Sequence, residues 1–499
     1  MGIVQKDAFR TMIISYLGII LGYLNKGLLF LFILTTEQIG LVNLILSVGL
    51  LFAQFANFGT IYTTWKFLPF FKNQEKKHHG FLPLMLLIVL LGITICTIAY
   101  LLFRSKIEGM YLERSALFVT YYLWILPIGI SYVLFLILEV YLKSFYKNII
   151  SVIAIEIVLR LSLTLLLMLI WLKAISFNVF VIVHSLIYII PAVVLIVYLY
   201  RTNELNLRLS NIKISKRFKK ILIQFSVFNY INTLGNVLVN SLDVMMIAQF
   251  LGLQATGVYT TVVFLTSALQ VPIKSVLRIS SSLVADHWKY REFDKMKELY
   301  QKVSSVSLVI GLGSFVFVWN NIDFLFSFLK PEFQEGKWVF FFLMMGRLID
   351  MFFGLNGAIF STSKKFKYDI IFTLFLIGAV FFLNLLFIPK WGIAGAAIST
   401  SIALIIYNVG RLIFVWAIYK IHPFQRNQFI VIGLGLLTIY CGNLTEDLIQ
   451  NKWIQFCIES ILVFGIFFLP IYLFSLEKET VNYVKKGILF IKEKTGISK

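Results

Sequence analysis

The chain has 499 residues, of which 59% are hydrophobic and 14% charged, and its formal net charge is +21. A soluble domain is closer to half apolar and a quarter charged, so this composition excludes an ordinary soluble enzyme or binding module. Apolar runs of about 20 residues can cross a bilayer as helices. We count fourteen such runs, so the sequence predicts an all-α polytopic membrane protein. The runs are centred near residues 22, 52, 92, 127, 160, 189, 233, 268, 314, 350, 379, 406, 438 and 464.

The basic residues predict how these spans are oriented. With the N-terminus in the cytoplasm, 31 of the 45 Lys and Arg lie in inside segments and eight in outside loops. This is the positive-inside pattern, and it accounts for the net charge without any nucleic-acid partner. We therefore expect a multi-pass protein of the bacterial cytoplasmic (inner) membrane with both termini in the cytoplasm.

The order of the spans predicts two lobes. Spans one to six form an N-terminal lobe (1–205) and spans seven to twelve a C-terminal lobe (206–420). Spans thirteen and fourteen (421–476) follow, and a basic cytoplasmic tail (477–499) ends the chain.

The two lobes match each other when one is shifted by 217 residues. This shift places Lys26 over Asp243 and Gly40 over Gly257. The match predicts two six-helix lobes related by a pseudo-two-fold axis along the membrane normal, with substrate bound between them near the midplane. We expect a central cavity that opens alternately to each side.

Span seven carries a polar stripe. Asn229, Asn232, Asn236, Asn240 and Asp243 follow one another at steps of three and four residues. At about 100° per residue they share an arc of roughly 80° on one helix face. Amides and carboxylates are costly in hydrocarbon, so this face is predicted to line protein or a wet cavity.

Span eight carries a second polar stripe at a strict spacing of four residues. Two of its members are cations, and Lys274 follows Pro272 by two residues, where we expect the helix to bend and expose its backbone to the cavity. The members of the stripe are Thr266, Gln270, Lys274, Arg278 and Ser282.

Four stretches of the chain carry a resemblance to a known family. They are Glu37–Gly40 opening span two, Asp243 with FLGLQATGVY opening span eight, Asn384–Pro389 ending span eleven, and Lys390–Ala397 opening span twelve. In this order they resemble the Wzx-type flippases, the O-antigen and capsule exporters of the multidrug/oligosaccharidyl-lipid/polysaccharide exporter superfamily.

The resemblance implies a transporter rather than an enzyme, without cofactor. Its substrate would be an undecaprenyl-diphosphate-linked oligosaccharide, such as an O-antigen, capsule or exopolysaccharide repeat unit, moved between leaflets by alternating access. Coupling to H⁺ or Na⁺ is expected. The implied partners are this lipid-linked glycan, the bilayer, and glycan polymerase and assembly proteins.

The site for such a substrate is predicted from the polar side chains inside the spans. Fixed Lys and Arg suit a diphosphate, and amides suit sugar hydroxyls. No catalytic residue and no metal ligand is predicted. The predicted substrate-binding residues are Lys26, Arg160, Asn232, Asn236, Asn240, Gln270, Lys274, Arg278, Arg347 and Arg411. The predicted ion-coupling residues are Asp243, Glu156 and Asp350.

Two pairs among these charges also have a structural interpretation. Glu156 and Arg160 are four residues apart, and Arg347 and Asp350 are three apart, so each pair can neutralise itself within one helix. Pairing that lets the helix pack, and binding of substrate or ions, are both kept as hypotheses.

Four more charged residues also have a structural interpretation besides the functional one. Arg278 and Arg411 lie within two turns of the predicted inner surface, where long cationic side chains can snorkel to water. Lys26 and Asp243 occupy equivalent positions of the repeat, so they either contact each other or serve transport.

Other functions fit a protein of this class. A cation-coupled multidrug exporter of the same superfamily is the first alternative, although the buried cations outnumber the buried anions. A membrane oligosaccharide polymerase or ligase is the second, although the outside loops are all short. A lipid II flippase is the third.

Overall fold

A computed structural model describes residues 2–73, 80–207, 216–446 and 451–477. Every regular element in these ranges is a helix. The all-α polytopic membrane fold is therefore confirmed. The predicted basic tail lies outside the described residues except for Glu477, and so do the side chains of Asn232 and Asn236.

Eleven of the described helices are long and apolar enough to cross a membrane, and two bent helix pairs raise the number to thirteen. One of the eleven, Asp369–Tyr419, has 51 residues and a non-helical break at Trp391 and Gly392. This long helix covers two predicted spans, so each of the fourteen predicted spans corresponds to a helix or a bent helix pair in the structure. Spans one to seven are Arg10–Ile33, Thr36–Ala56, Phe81–Leu102, Tyr122–Ser144, Ile149–Trp171, Phe177–Arg201 and Lys219–Phe250.

The remaining spans include both bent pairs. Span eight consists of Leu253–Leu269 and Val271–Tyr290, bent by 51°, and span ten of Pro331–Phe352 and Leu355–Thr362, bent by 46°. Span nine is Phe293–Asn320, spans eleven and twelve share Asp369–Tyr419, and spans thirteen and fourteen are Arg426–Thr445 and Lys452–Leu473. Shorter helices between the spans are Thr60–Phe67, Leu68–Phe71, Arg104–Tyr111, Ala116–Thr120, Ile322–Phe326 and Phe366–Tyr368.

Packing divides the chain into two compact units. Unit 1 comprises Met1–Thr261 with Ile388–Ile393, and unit 2 comprises Val262–Phe387 with Ala394–Lys499. A division by packing does not test a boundary defined by internal symmetry, so the predicted lobes at 1–205 and 206–420 stay a prediction.

Local sequence explains where several spans begin or break. At the start of span two, Thr35 accepts a bond from the Gln38 amide and the Gln38 side chain accepts one from the Thr35 amide, which is a capping box. Span eight bends where Pro272 begins its second half, as predicted. Gly392 has φ +59°, a left-handed conformation that favours glycine, and this permits the turn between spans eleven and twelve.

Three spans contain π-helical turns, each of which inserts one extra residue into the helix. The turns cover Tyr23–Leu29 in span one, Ala154–Val158 in span five and Val463–Phe468 in span fourteen. Such turns occur often at functional positions. The first two carry Lys26 and Glu156, two of the predicted site residues.

Candidate functional site

In unit 1, spans two and eight cross at two glycines. A Cβ atom added to Gly40 would lie 1.9 Å from the carbonyl oxygen of Leu253, and one added to Gly257 would lie 2.0 Å from that of Thr36. The two contacts are equivalent in the repeat. A shift of 217 residues takes Gly40 to Gly257, and the reverse shift takes Leu253 to Thr36. The crossing is thus symmetric in the register of the predicted repeat, and only glycine permits backbones to approach this closely.

One turn further along, polar side chains bridge the same two helices. Asn43 donates from Nδ2 to Thr260 Oγ1 at 3.2 Å, and these residues are again 217 apart. Lys26 donates from Nζ to Asn43 Oδ1 at 3.2 Å. Asp243 accepts a hydrogen bond from the Tyr259 hydroxyl at 2.5 Å. Lys26 and Asp243 therefore each contact a helix of the crossing.

A glycine pair on span one accommodates the charged pair on span five. Arg160 and Glu156 form an ion pair at 2.6 Å, and Arg160 also donates to the carbonyl of Gly18. A Cβ at Gly18 would lie 2.4 Å from Glu156 Oε2, and one at Gly22 would lie 2.1 Å from Arg160 Nη1. Because Gly18 and Gly22 lack a Cβ atom, Glu156 and Arg160 can pack closely against span one. The pairing interpretation has direct geometric support here.

The π-helical turn of span one supplies further polar contacts to span five. Asn25 is buried, donates to the Arg160 carbonyl at 2.8 Å and accepts from the Thr164 hydroxyl at 2.7 Å. These bonds satisfy an amide that would otherwise be costly inside a membrane. In span six, His184 is buried and stacks on Phe180.

The amide stripe of span seven is only partly described. Asn229 donates to the carbonyl of Phe225 one turn earlier in its own helix, and the side chain of Asn240 is exposed. The side chains of Asn232 and Asn236 lie outside the described residues. A role of the stripe in sugar binding stays a prediction.

In unit 2, span eight presents its cationic stripe on the surface. Gln270 is buried at the bend, whereas Lys274 and Arg278 are exposed. Arg347 and Asp350 of span ten are the charged groups whose electrostatic fields act on Lys274. Lys274 thus lies within the electrostatic range of one cation and one carboxylate of span ten.

The charges of span ten have separate partners on two neighbouring helices. Arg347 donates from Nη1 to Ser267 Oγ at 2.8 Å and to the Val263 carbonyl at 3.3 Å. Asp350 accepts from Asn408 Nδ2 at 3.1 Å. Arg347 therefore contacts span eight and Asp350 contacts span twelve.

Arg411 lies in a nearly buried ion pair. It donates from Nε to Asp369 Oδ1 at 2.9 Å, and the two side chains are only 12% and 10% exposed. Its guanidinium lies 4.3 Å from the ring centre of Tyr407. Neutralisation by Asp369, at the start of span eleven, favours a structural role for Arg411 over snorkelling or substrate binding.

Sequence reasoning missed several partners of these charges. Gly18 and Gly22 form a G-x-x-x-G pattern, which is a known signal for close helix packing and was available in the sequence. Asn43, Asp369 and Asn408 lie far along the chain from the residues they contact, so no local pattern points to them.

We compared the chain with known protein families, sequences and solved structures. No family model matches the chain. An uncharacterized membrane protein of Methanocaldococcus jannaschii is 27% identical over 269 residues, which cover 52% of this chain and 51% of that protein. The chain thus matches about half the length of this curated relative.

Solved structures match much more of the chain. The lipid II flippase MurJ in an inward closed conformation has a TM-score of 0.72 at 15% identity, over 94% of this chain and 98% of that one. An inward-facing multidrug resistance MATE transporter of the MOP superfamily has a TM-score of 0.62 at 14% identity, over 80% and 94%. A MOP superfamily transporter from Pyrococcus furiosus has 0.53 at 13% identity, over 84% and 96%. The chain therefore has the fold of MOP superfamily transporters.

Proposed function

We propose that the chain is a flippase that carries an undecaprenyl-diphosphate-linked oligosaccharide across the cytoplasmic membrane, and that it is not an enzyme. One observation carries the proposal: an exposed lysine, Lys274, lies in a bent apolar span with Arg347 and Asp350 as its charged neighbours. A cation at this depth is stable only when it faces water or an anion. A wet cavity that receives an anionic head group provides both.

The balance of charge in unit 2 suits a diphosphate. Lys274 and Arg347 bring two cations to this part of unit 2, and a diphosphate is bound by such fixed cations. Arg278 follows one turn along the same face towards the predicted inner side and extends the row of cations. The polyprenyl chain would remain in lipid while the head group enters the cavity.

An amide side chain on span eight adds to the cations of unit 2. Gln270 lies one turn before Lys274 on the same helix. Amides donate and accept hydrogen bonds, which matches the hydroxyls of a sugar. Asn232, Asn236 and Asn240 of span seven stay predicted sugar-binding residues.

Among the three ion-coupling candidates, Asp350 is the strongest. Its charge acts directly on Lys274, so uptake of H⁺ or Na⁺ at Asp350 would strengthen the positive field that holds the diphosphate. Glu156 is held by Arg160, and Asp243 accepts a bond from Tyr259. Neither of these contacts involves Lys274.

The likeness to known proteins supports the class of substrate. MurJ is named as a lipid II flippase, and it shares the fold over nearly the whole chain, so this fold accommodates a lipid-linked substrate. The Wzx-type resemblance adds an oligosaccharide as the head group. The likeness to a MATE transporter supports a second candidate, a cation-coupled multidrug exporter. The two cations of unit 2 suit an anionic head group better than a cationic compound.

The proposal is tested in proteoliposomes that contain a fluorescent undecaprenyl-diphosphate-linked oligosaccharide. Transfer between leaflets is measured by loss of fluorescence on addition of an impermeant quencher. We expect transfer by the wild type, at least a tenfold slower rate for Lys274→Ala, and partial recovery for Lys274→Arg. The matched control is Lys289→Ala, because Lys289 is an exposed lysine at the end of the same helix, and its rate should equal the wild type.

The same vesicles distinguish the second candidate. Ethidium efflux driven by a H⁺ or Na⁺ gradient, without transfer of the lipid-linked glycan, would replace the flippase with a multidrug exporter. Equal rates for Lys274→Ala and Lys289→Ala would remove Lys274 from the site.

A further inference from the structure

A groove of unit 2 lies at the end of span twelve that is predicted to face the cytoplasm. Its volume is about 440 Å³, which is in the usual range of ligand sites, and four of its five lining side chains are apolar. None of the predicted site residues lines it. The lining residues are Leu412, Ile413, Trp416, His422 and Phe424.

Hydrogen bonds and ring contacts hold the walls of this groove in place. One wall is the last two turns of span twelve, and the other is the segment that follows the span. In that segment, Gln301 donates to the Phe424 carbonyl at 3.3 Å and Gln428 donates to the Pro423 carbonyl at 2.9 Å. The ring centre of Phe424 also lies 6.1 Å from that of Phe352. An occupant would therefore bind to a preformed surface.

The position of the groove along span twelve favours a hydrocarbon chain as its occupant. Ile413 and Trp416 are 56% and 54% exposed, although both belong to an apolar span. Side chains of a span that no protein covers contact acyl chains, and tryptophan is enriched where these chains meet the head groups. The groove thus begins at the predicted level of the phosphates and continues into the lipid.

Cations lie at the end of the groove that is nearest to the predicted membrane surface. Lys420 directly follows the span, is exposed, and places its ammonium 5.9 Å from the ring centre of Trp416. The half-buried Lys297 acts on His422, because burial and then the charge of this lysine hold the pKa of the His422 imidazole below its usual range. The histidine is therefore neutral at pH 7, and the lysines supply the positive charge.

The surrounding sequence provides little negative charge to offset these lysines. Between Asp369 and Glu446 the chain contains no acidic residue, and Asp369 is paired with Arg411. On span nine, Glu298 forms an ion pair with Lys302 at 3.0 Å. The mouth of the groove is thus complementary to an anion.

We infer that this groove binds an anionic phospholipid of the phosphatidylglycerol class, with an acyl chain along Ile413, Trp416 and Phe424 and its phosphate beside Lys420. Basic pockets between helices on the cytoplasmic side of a membrane are known to bind such head groups. This lipid site does not depend on which substrate the protein transports.

The test measures quenching of tryptophan fluorescence by brominated lipids, with the purified full-length protein in detergent micelles. Bromine on an acyl chain quenches a tryptophan that it contacts, and the difference between the wild type and Trp416→Phe isolates the signal of Trp416. Brominated phosphatidylglycerol should quench this signal at a roughly tenfold lower mole fraction than brominated phosphatidylcholine. Unlabelled phosphatidylglycerol should also raise Tm more than phosphatidylcholine does, which gives a second measurement without the Trp416 variant.

A lysine variant tests the head-group contact. Lys420→Asn should reduce the preference for phosphatidylglycerol by about fivefold, the effect of one basic residue near an anionic surface. Residue 420 has φ +58°, and asparagine tolerates this left-handed conformation, so the substitution removes the charge without straining the backbone. The matched control is Lys390→Asn, because Lys390 is an exposed lysine at the other end of span twelve, and it should keep the preference of the wild type.

Three results would overturn the inference. Equal quenching by the two brominated lipids would mean that the groove contacts lipid without selecting it. An unchanged preference in Lys420→Asn would mean that this cation does not bind the phosphate. Displacement of the brominated lipid by undecaprenyl diphosphate at a lower concentration than by phosphatidylglycerol would mean that the groove receives a polyprenyl lipid instead. None of these results alters the expected effect of Lys274→Ala on transport.

Discussion

The glycine crossing of spans two and eight gives the sharpest prediction. In Gly40→Ala the new Cβ would lie 1.9 Å from the Leu253 carbonyl oxygen, whereas ordinary contact begins at 3.4 Å. The helices must therefore separate by about 1.5 Å at this point. Overpacking of this kind costs about 1–3 kcal/mol, and the Asn43–Thr260 hydrogen bond lies close enough to be stretched as well.

A matched glycine on another span serves as the control. Gly378 lies within span eleven, and a Cβ there meets no heavy atom within 4 Å. Gly378→Ala should be neutral or should stabilise by about 0.5–1 kcal/mol, because alanine lowers the entropy of the unfolded chain. Thermal unfolding in detergent compares the two variants.

The symmetry of the crossing adds a quantitative test. Gly257→Ala should destabilise the protein as much as Gly40→Ala, because its Cβ meets the Thr36 carbonyl at nearly the same distance. The double variant should cost less than the sum, since one separation of the helices relieves both clashes. Melting of Gly40→Ala at the same temperature as Gly378→Ala, or strict additivity in the double variant, would refute this account of the crossing.

Two further predictions concern charges. Asp369→Asn should destabilise the folded protein by about 3–5 kcal/mol, because it leaves Arg411 buried without its counter-ion. In thermal unfolding, the double variant with Arg411→Gln should recover part of this loss of stability. A double variant less stable than Asp369→Asn alone would contradict the pairing. Outside the spans, hydrogen bonds from Lys295 and His287 hold the pKa of the Glu292 carboxyl below its usual range. Because the folded-state pKa lies below the unfolded value of about 4.3, this contribution is present at neutral pH and is lost as the pH falls below that value. Glu292→Gln should therefore lower Tm more at pH 7 than at pH 3, and equal Tm differences at both values would disprove it.

The sequence alone determined the features that depend on local patterns. Fourteen apolar runs predict fourteen spans because a helix in lipid must satisfy its own backbone, and length and hydropathy suffice to find it. Pro272 predicts the bend of span eight because proline removes a hydrogen bond of the helix at a known position. The shift of 217 residues predicted that Gly40 and Gly257 correspond. Gly40 follows Lys26 by the same number of residues as Gly257 follows Asp243.

Only the tertiary structure decided how the charges inside the spans are compensated. Asp369 reaches Arg411 across 42 residues, Asn408 reaches Asp350 across 58, and Asn43 reaches Thr260 across 217. Such partners meet because helices pack at particular crossings, and spacing within one helix carries no information about the neighbouring one. The sequence can therefore locate a charge in the membrane, but the packing of other helices determines whether it is neutralised or left facing water.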